Sequence, residues 1–115
     1  HPLAGSKAHA LAGGNTTIGV VAVNADLTPA EARRIAIMAH DGMARAIRPV
    51  HAPVDGDTIF VLATGAYPLG PAPRHLALSV IGALAADCVS RAIARAVYEA
   101  ETLGETISWR ERHGR

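Results

Sequence analysis

Two short segments rich in β-branched residues limit most strongly what this chain can fold into. They cover residues 16–23 (TTIGVVAV) and residues 57–64 (DTIFVLAT), and they are almost free of charged side chains. An apolar run of this length, without alternation, is typical of a strand that is buried on both faces. Because two strands are too few for a stable sheet, we predict that a partner chain or an upstream portion supplies the neighbouring strands.

Helical patterns follow both of these segments. Thr28 and Glu31 have the spacing of a capping box, and Pro29 stands at the first helical position, so a helix is predicted to begin there. Apolar residues then recur at helical spacing, and Pro49 predicts that the helix ends just before it. A second, Ala-rich helix is predicted over residues 74–103, with its first half buried on more than one side. The predicted order is therefore strand, helix, strand, helix.

The two ends of the chain show neither pattern. Residues 1–14 are small, polar and aperiodic, which predicts a flexible arm or linker. Residues 104–115 are mostly polar, and we expect them to be irregular. The chain begins with His1 rather than Met, so we expect that a preceding portion is missing or has been removed. No signal peptide is visible, and we expect a cytoplasmic location.

The composition argues against several classes of protein. The net charge is only +1, which is too balanced for a nucleic-acid-binding surface. The single cysteine, Cys88, excludes an internal disulfide framework and any multi-cysteine metal site. The longest apolar run, residues 76–86, is shorter than the roughly 20 residues that span a bilayer, so no membrane partner is expected. Because the chain has 24 Ala and 11 Gly but only one Phe, one Trp and two Tyr, its core must consist of small and aliphatic side chains.

One candidate for chemistry is the junction at which the arm meets the first predicted strand, where two glycines precede Asn15 and Thr16. A cut between Asn15 and Thr16 would leave Thr16 with a free α-amine beside its own hydroxyl. Such an amine is partly unprotonated near neutral pH, so it can act as general base while the hydroxyl attacks an amide or ester carbonyl. The same residues also fit an ordinary turn that leads into a strand, and the local pattern alone favours that interpretation.

A second candidate is the pair Asp55 and Asp57, at the entry to the second predicted strand. Two carboxylates at this spacing could orient a nucleophile or share a proton. They could also bind Mg²⁺ together with a phosphate substrate. An Asp-Gly turn whose side chains cap the loop backbone is the plainer interpretation.

The remaining candidates are weaker. His40 and Asp41 are neighbours on a helix and therefore do not face each other. His51 could line a site, although a solvated loop histidine is the simpler interpretation. Cys88 falls on the apolar stripe of the second helix and is predicted to be a small core residue. Lys7 is the only lysine, so the chain beyond Asn15 cannot supply a lysine to a site.

Five short motifs follow one another in this sequence in a characteristic order. They are NTTI at residues 15–18, LTPA at 27–30, MAHDG at 38–42, ARAIRP at 44–49 and DGDTIF at 55–60. Their order and spacing resemble the DmpA/NylC family, which comprises aminopeptidase/D-esterases, nylon-oligomer hydrolases and β-peptidyl aminopeptidases. The resemblance is dense over residues 13–66 and loose over the final helix.

The resemblance implies a precursor that cleaves itself into a larger α chain and a smaller β chain. Residues 1–15 would then end the α chain, and residues 16–115 would form the β-chain portion of one α+β domain, a four-layer αββα sandwich completed by the α chain. Thr16 matches the position of the nucleophile. Asp55 and Asp57 match two positions that hydrogen-bond around the nucleophile. Asp at both positions resembles the nylon-oligomer hydrolases, since the β-peptidyl members have Ser and Glu there.

The family's lysine and oxyanion-hole asparagine lie in the α chain, in keeping with the lack of lysine after Thr16. The resemblance further implies a small peptide or amide substrate, homo-oligomers of αβ units, and neither a metal nor an organic cofactor. We therefore expect an autoprocessing hydrolase that cleaves between Asn15 and Thr16 and then acts through an acyl-enzyme on Thr16. The alternative is a non-catalytic binding or assembly module that keeps the family fold.

Overall fold

The computed structural model describes residues 15–114 and has the predicted order of elements, with one further short helix near the end. The elements are β1 (Ile18–Ala25), α1 (Pro29–Ala46), β2 (Thr58–Tyr67), α2 (Arg74–Glu99) and α3 (Trp109–His113). This mixture of strands and helices agrees with the predicted α+β class. The arm predicted at residues 1–14 lies outside the described residues. The four-layer sandwich stays a prediction.

The two strands lie side by side and run in the same direction. Ile18 is opposite Thr58 and Val23 is opposite Ala63, and the register becomes irregular after Val23. Both strands continue further toward their carboxyl ends than predicted, since β1 ends at Ala25 and β2 ends at Tyr67. Because parallel strands begin at the same edge of a sheet, the residues that precede β1 and β2 are neighbours.

The predicted capping box at the start of α1 is confirmed. The Glu31 amide donates to Thr28 Oγ1 at 3.2 Å, and the Thr28 amide donates to Glu31 Oε1 at 2.9 Å. Pro29 is the first helical residue, where its missing N–H costs no hydrogen bond. The helix ends at Ala46, just before Pro49, as predicted.

Both helices cover the same face of the sheet and pack tightly against each other. At their contact, a Cβ atom on Gly42 would overlap the carbonyl oxygen of Ala86, so the close approach requires glycine at this position. The small side chains of α2 therefore serve to bring the helix axes together, as the Ala-rich composition suggested. The core cluster consists of Val21, Ile35, Ala39, Met43, Ile59, Ala85 and Val89.

The other face of the sheet is uncovered in residues 15–114, which differs from the prediction that both strands are buried on both faces. Val20 is 69% exposed and Phe60 is 59% exposed, and Ile18 and Leu62 lie on the same outer face. Their neighbours Val21 and Ile59, which point to the helices, are buried. Both faces of the two strands are apolar, as the sequence indicates, but residues 15–114 cover only the face that packs against the helices.

Two further features of the C-terminal half differ from prediction. Cys88 is exposed rather than buried, because it lies beside the face of α2 that packs on α1. Residues 109–113 form α3 rather than an irregular segment, with Ser108 Oγ accepting from the Glu111 amide at 3.2 Å.

Among the described residues, α2 is a helix long and apolar enough to cross a membrane by length and composition alone. It extends well past the apolar run at residues 76–86 on which the prediction of no membrane partner was based. One such helix is weak evidence for a membrane span, because core helices of soluble proteins and signal sequences meet the same criteria. In this structure Gly82, Ala85, Ala86 and Val89 of α2 are buried.

Candidate active site

The predicted cleavage junction lies against the loop that enters β2. Asn15 and Asp55 pair in parallel orientation, as an isolated bridge ahead of the two strands. The Asn15 amide donates to the carbonyl of Val54 at 3.0 Å, and the Gly56 amide donates to the carbonyl of Asn15 at 2.7 Å. Two hydrogen bonds therefore fix the backbone just before Thr16, one from the Asn15 amide and one to the Asn15 carbonyl.

The Gly56 amide bears directly on the predicted chemistry, because the carbonyl of Asn15 belongs to the Asn15–Thr16 peptide bond. An N–H donor at 2.7 Å polarises this carbonyl, and a donor on this oxygen would favour the negative charge that develops there during attack. Space beside residue 56 is also limited, since a Cβ atom there would lie 3.0 Å from Thr16 Oγ1, which is tighter than an ordinary contact. Gly56 therefore contacts the carbonyl that the predicted cleavage requires and leaves room for the hydroxyl.

Asp57 holds the backbone on the other side of Thr16. The Thr17 amide donates to Asp57 Oδ1 at 2.9 Å, and the Thr58 amide donates to the Thr17 carbonyl at 2.9 Å. The Asp57 side chain is only 1% exposed. A buried carboxylate is tolerated only with hydrogen-bond donors around it, so this contact both satisfies Asp57 and fixes the main chain beside Thr16.

His51 provides further donors to the same carboxylate. Its Nδ1 lies 2.9 Å from Asp57 Oδ2, and its backbone amide donates to that oxygen at 3.3 Å. His51 has a φ of 54°, in the left-handed region that few residues other than glycine adopt. Residues held in this region often cluster at functional sites, where the surrounding contacts compensate their cost.

His40 extends the contacts outward from His51. His40 Nδ1 lies 3.3 Å from His51 Nε2, and the two rings meet edge to face with their centroids 4.8 Å apart. Partial burial lowers the pKa of His40, and the charge of His51 lowers it further, while Asp57 and Asp41 act in the opposite direction. The lowered pKa favours the neutral form of His40, which can serve as a hydrogen-bond partner of His51.

Asp55 contacts the loop rather than the backbone of β1. Its Oδ2 accepts from the Ala52 amide at 2.8 Å, and its own amide donates to the Ala52 carbonyl at 2.8 Å. This is the loop-capping arrangement expected of an Asp-Gly turn. It shapes the segment from which Gly56 and Asp57 reach the cleavage junction.

The structure brings together Asn15, Thr16, Asp55 and Asp57, which are the residues that the sequence singled out. The sequence left open whether His51 lines a site or is a solvated loop residue and gave no role to His40, and in the structure the two connect to Asp57. The sequence carries only a weak signal for the contact between the two histidines, because no spacing rule links a histidine on a helix to one in the following loop. Among the described residues, no cluster of three or more His, Cys, Asp or Glu side chains is arranged to hold a metal ion.

An open apolar groove of about 1350 Å³ leads away from this site. It runs between β1 and α2, from Thr17 at one end toward Tyr67 at the other, and Val20 and Leu84 are among its lining residues. The free edge of β1 and the exposed side of α2 form its walls.

Known proteins resemble this chain over most of its length. The model of peptidase family S58 matches residues 2–108. An uncharacterized aminopeptidase of Mycobacterium tuberculosis is 48% identical over 105 residues, which cover 84% of this chain and 30% of that protein. A 6-aminohexanoate-oligomer endohydrolase of Kocuria is 35% identical over 89 residues, which cover 72% of this chain and 25% of that protein.

The chain thus spans less than a third of the length of these relatives. The family match nevertheless includes every residue of the candidate site, from Asn15 to Asp57, and both strands that carry it. The chain belongs to peptidase family S58, the family of DmpA and NylC.

Proposed function

We propose that this chain is part of an autoprocessing amide hydrolase whose nucleophile is the hydroxyl of Thr16. The observation that carries the proposal is the position of Gly56, whose amide donates to the Asn15 carbonyl and whose lack of a Cβ atom leaves room for Thr16 Oγ1. The names of the relatives, an aminopeptidase and an oligomer endohydrolase, both describe amide-bond hydrolysis.

In the first reaction, Thr16 Oγ1 attacks the Asn15 carbonyl carbon, and negative charge develops on the oxygen that the Gly56 amide contacts. The C–N bond then breaks, the nitrogen takes up a proton, and the Asn15 acyl group is left as an ester on Thr16. Water hydrolyses this ester. The products are a carboxylate at Asn15 and a new chain that begins with the free amine and hydroxyl of Thr16.

In turnover, the Thr16 hydroxyl attacks the carbonyl of a small peptide or amide and forms an acyl-enzyme. The amine of Thr16, or a base from the partner chain, takes the hydroxyl proton and passes it to the leaving amine. Asp57 keeps the Thr17 backbone in place during these steps, and Asp55 shapes the loop that carries Gly56. The proposed reaction requires neither a metal ion nor an organic cofactor.

The partner in this proposal is an α chain derived from the same precursor. The exposed outer face of the sheet and the groove beside β1 support it, because Val20, Phe60 and the free β1 edge need a covering layer. By family resemblance, this α chain also contributes a lysine and an oxyanion-hole asparagine. The proposal includes a cytoplasmic location and assembly of the αβ units into a homo-oligomer.

The experiment is to express the chain with its natural upstream sequence and to measure the intact masses of the products. We expect a fragment that begins at Thr16, a Thr16→Ala variant that stays uncut, and a Thr16→Ser variant that is still cut. Thr106→Ala, in the exposed C-terminal segment, is the matched control and should be cut like the wild type.

Normal cleavage of the Thr16→Ala variant would refute the proposal. A wild-type protein that folds and remains uncut would instead favour the alternative, a non-catalytic binding or assembly module. Mg²⁺-dependent phosphate chemistry at Asp55 and Asp57 predicts an activity that chelators abolish, whereas the proposed amide hydrolysis should be unaffected by them.

A further inference from the structure

The proposed reaction gives no role to the two histidines that extend outward from Asp57. A chain of hydrogen bonds runs from the Thr17 amide through Asp57 and His51 to His40. It links the main chain beside Thr16 to α1, although β1 separates the two in sequence. The Asp57 carboxylate at its centre is buried, whereas the His51 side chain is 39% exposed.

We propose that His51, supported by His40, is a positioning residue that orients the Asp57 carboxylate toward the Thr17 amide and thereby fixes Thr16 for attack. This inference rests on the proposed function, because it assigns Thr16 as the nucleophile. His40 on α1 and His51 in the following loop would then be among the residues that determine the reaction rate.

The donors and acceptors of this chain allow few arrangements. An ionised carboxylate only accepts hydrogen bonds, so His51 Nδ1 must carry a hydrogen toward Asp57. In neutral His51, Nε2 then accepts a hydrogen bond from His40 Nδ1, whereas in protonated His51 it donates to that atom. In both forms Nδ1 donates to Asp57, and contacts at both ring nitrogens keep the His51 ring from rotating.

The contacts around Asp57 also define what each carboxylate oxygen does. Oδ2 accepts from the ring and the backbone of His51, and Oδ1 accepts from Thr17. If the His51 ring were removed, Oδ2 would lose the 2.9 Å contact to Nδ1, and the carboxylate would be held less firmly against rotation about its Cβ–Cγ bond. The Thr17 amide would then lose its fixed acceptor, and the adjacent Thr16 hydroxyl its fixed position.

Two substitutions at residue 51 distinguish the contribution of the His51 ring from that of its backbone amide. His51→Gly removes the ring but accepts the left-handed φ without strain and keeps the backbone donor. His51→Asn also tolerates this φ, and its side-chain amide can donate to Asp57 from near the position of Nδ1. His40→Ala removes the outer support, and His75→Asn, on the exposed start of α2, is the matched histidine control.

The first measurement is the rate of cleavage between Asn15 and Thr16 in the full-length precursor made by cell-free synthesis. We expect His51→Gly to slow cleavage by roughly 10- to 100-fold, as displacements of reacting groups do. His51→Asn should restore most of the rate, His40→Ala should have a smaller effect than His51→Gly, and His75→Asn should match the wild type. Melting temperatures verify that each variant is folded.

The second measurement does not require activity. In the uncut Thr16→Ala precursor, hydrogen exchange at the Thr17 amide should be faster with His51→Gly than with His51→Asn. Equal exchange in the two variants, or wild-type cleavage by His51→Gly, would overturn the positioning role. If instead Thr16→Ala is cut normally, the proposed nucleophile is wrong, and this outcome is visible independently of His51.

Discussion

Replacing Gly56 by alanine should slow the chemistry of Thr16 without loss of stability. The new Cβ atom would lie 3.0 Å from Thr16 Oγ1, whereas ordinary contacts begin near 3.4 Å. The hydroxyl or the loop must therefore move by a few tenths of an ångström. Since a 1 Å misplacement costs about 100-fold in rate, a displacement of this size should slow cleavage roughly five- to tenfold.

The backbone at residue 56 should accept the substitution. Gly56 is not among the glycines with positive φ, which are Gly65, Gly70, Gly104 and Gly114. A glycine-to-alanine change at a compatible φ stabilises a protein by about 0.4–1 kcal/mol through the unfolded state. Stability should therefore be unchanged or slightly increased, and a slower reaction could not be ascribed to unfolding.

The assay is the time course of precursor cleavage, followed by gel electrophoresis, together with thermal melting of each variant. Gly19→Ala is the matched control, because its Cβ would make an ordinary contact of 3.7 Å with Ile59 Cγ1. We expect Gly19→Ala to cleave at the wild-type rate. Wild-type cleavage by Gly56→Ala would show that the Thr16 hydroxyl does not occupy the position from which we derive its reactivity.

Three further substitutions test the fold and its pH dependence. Gly42→Ala should destabilise the protein by about 1–3 kcal/mol in urea unfolding, because its Cβ would overlap the Ala86 carbonyl oxygen. The Arg74 guanidinium and the Thr28 amide lower the pKa of Glu31 from 4.5 to about 2, so stability should fall as the pH drops from above 4.5 through about 2. Glu31→Gln should flatten this part of an acid-unfolding curve. Phe60→Asp should strongly lower the melting temperature of the full-length protein, since the proposed α chain would bury the new charge, and an unchanged melting temperature would argue against a covering layer there.

The elements of the fold could be predicted because their signals are local. The β-branched runs, the capping box at Thr28 and the proline after α1 each act within a few residues of the structure they specify. The exposed outer face of the sheet could not be predicted as such, because a two-sided apolar strand indicates that a covering layer exists but not which chain supplies it.

The candidate site was predictable only in part, for a similar reason. Asn15, Thr16, Asp55 and Asp57 could be singled out because they lie at the entries to the two predicted strands and because the motifs resemble a known family. The different contacts of Asp55 and Asp57 depend on the path of the loop. That path includes the left-handed backbone of His51, and no pattern in the sequence specifies how it brings His51 to Asp57.

The pairing of Asn15 with the loop has a consequence for the moment after cleavage. In the proposed enzyme the Asn15 segment is the first product of the site, and the cut itself breaks neither of the hydrogen bonds that join Asn15 to Val54 and Gly56. This segment must dissociate before the Gly56 amide can receive the carbonyl of an incoming substrate. Maturation in the proposed enzyme would therefore comprise two events, bond cleavage and release of the severed end, and only the second would open the site for turnover.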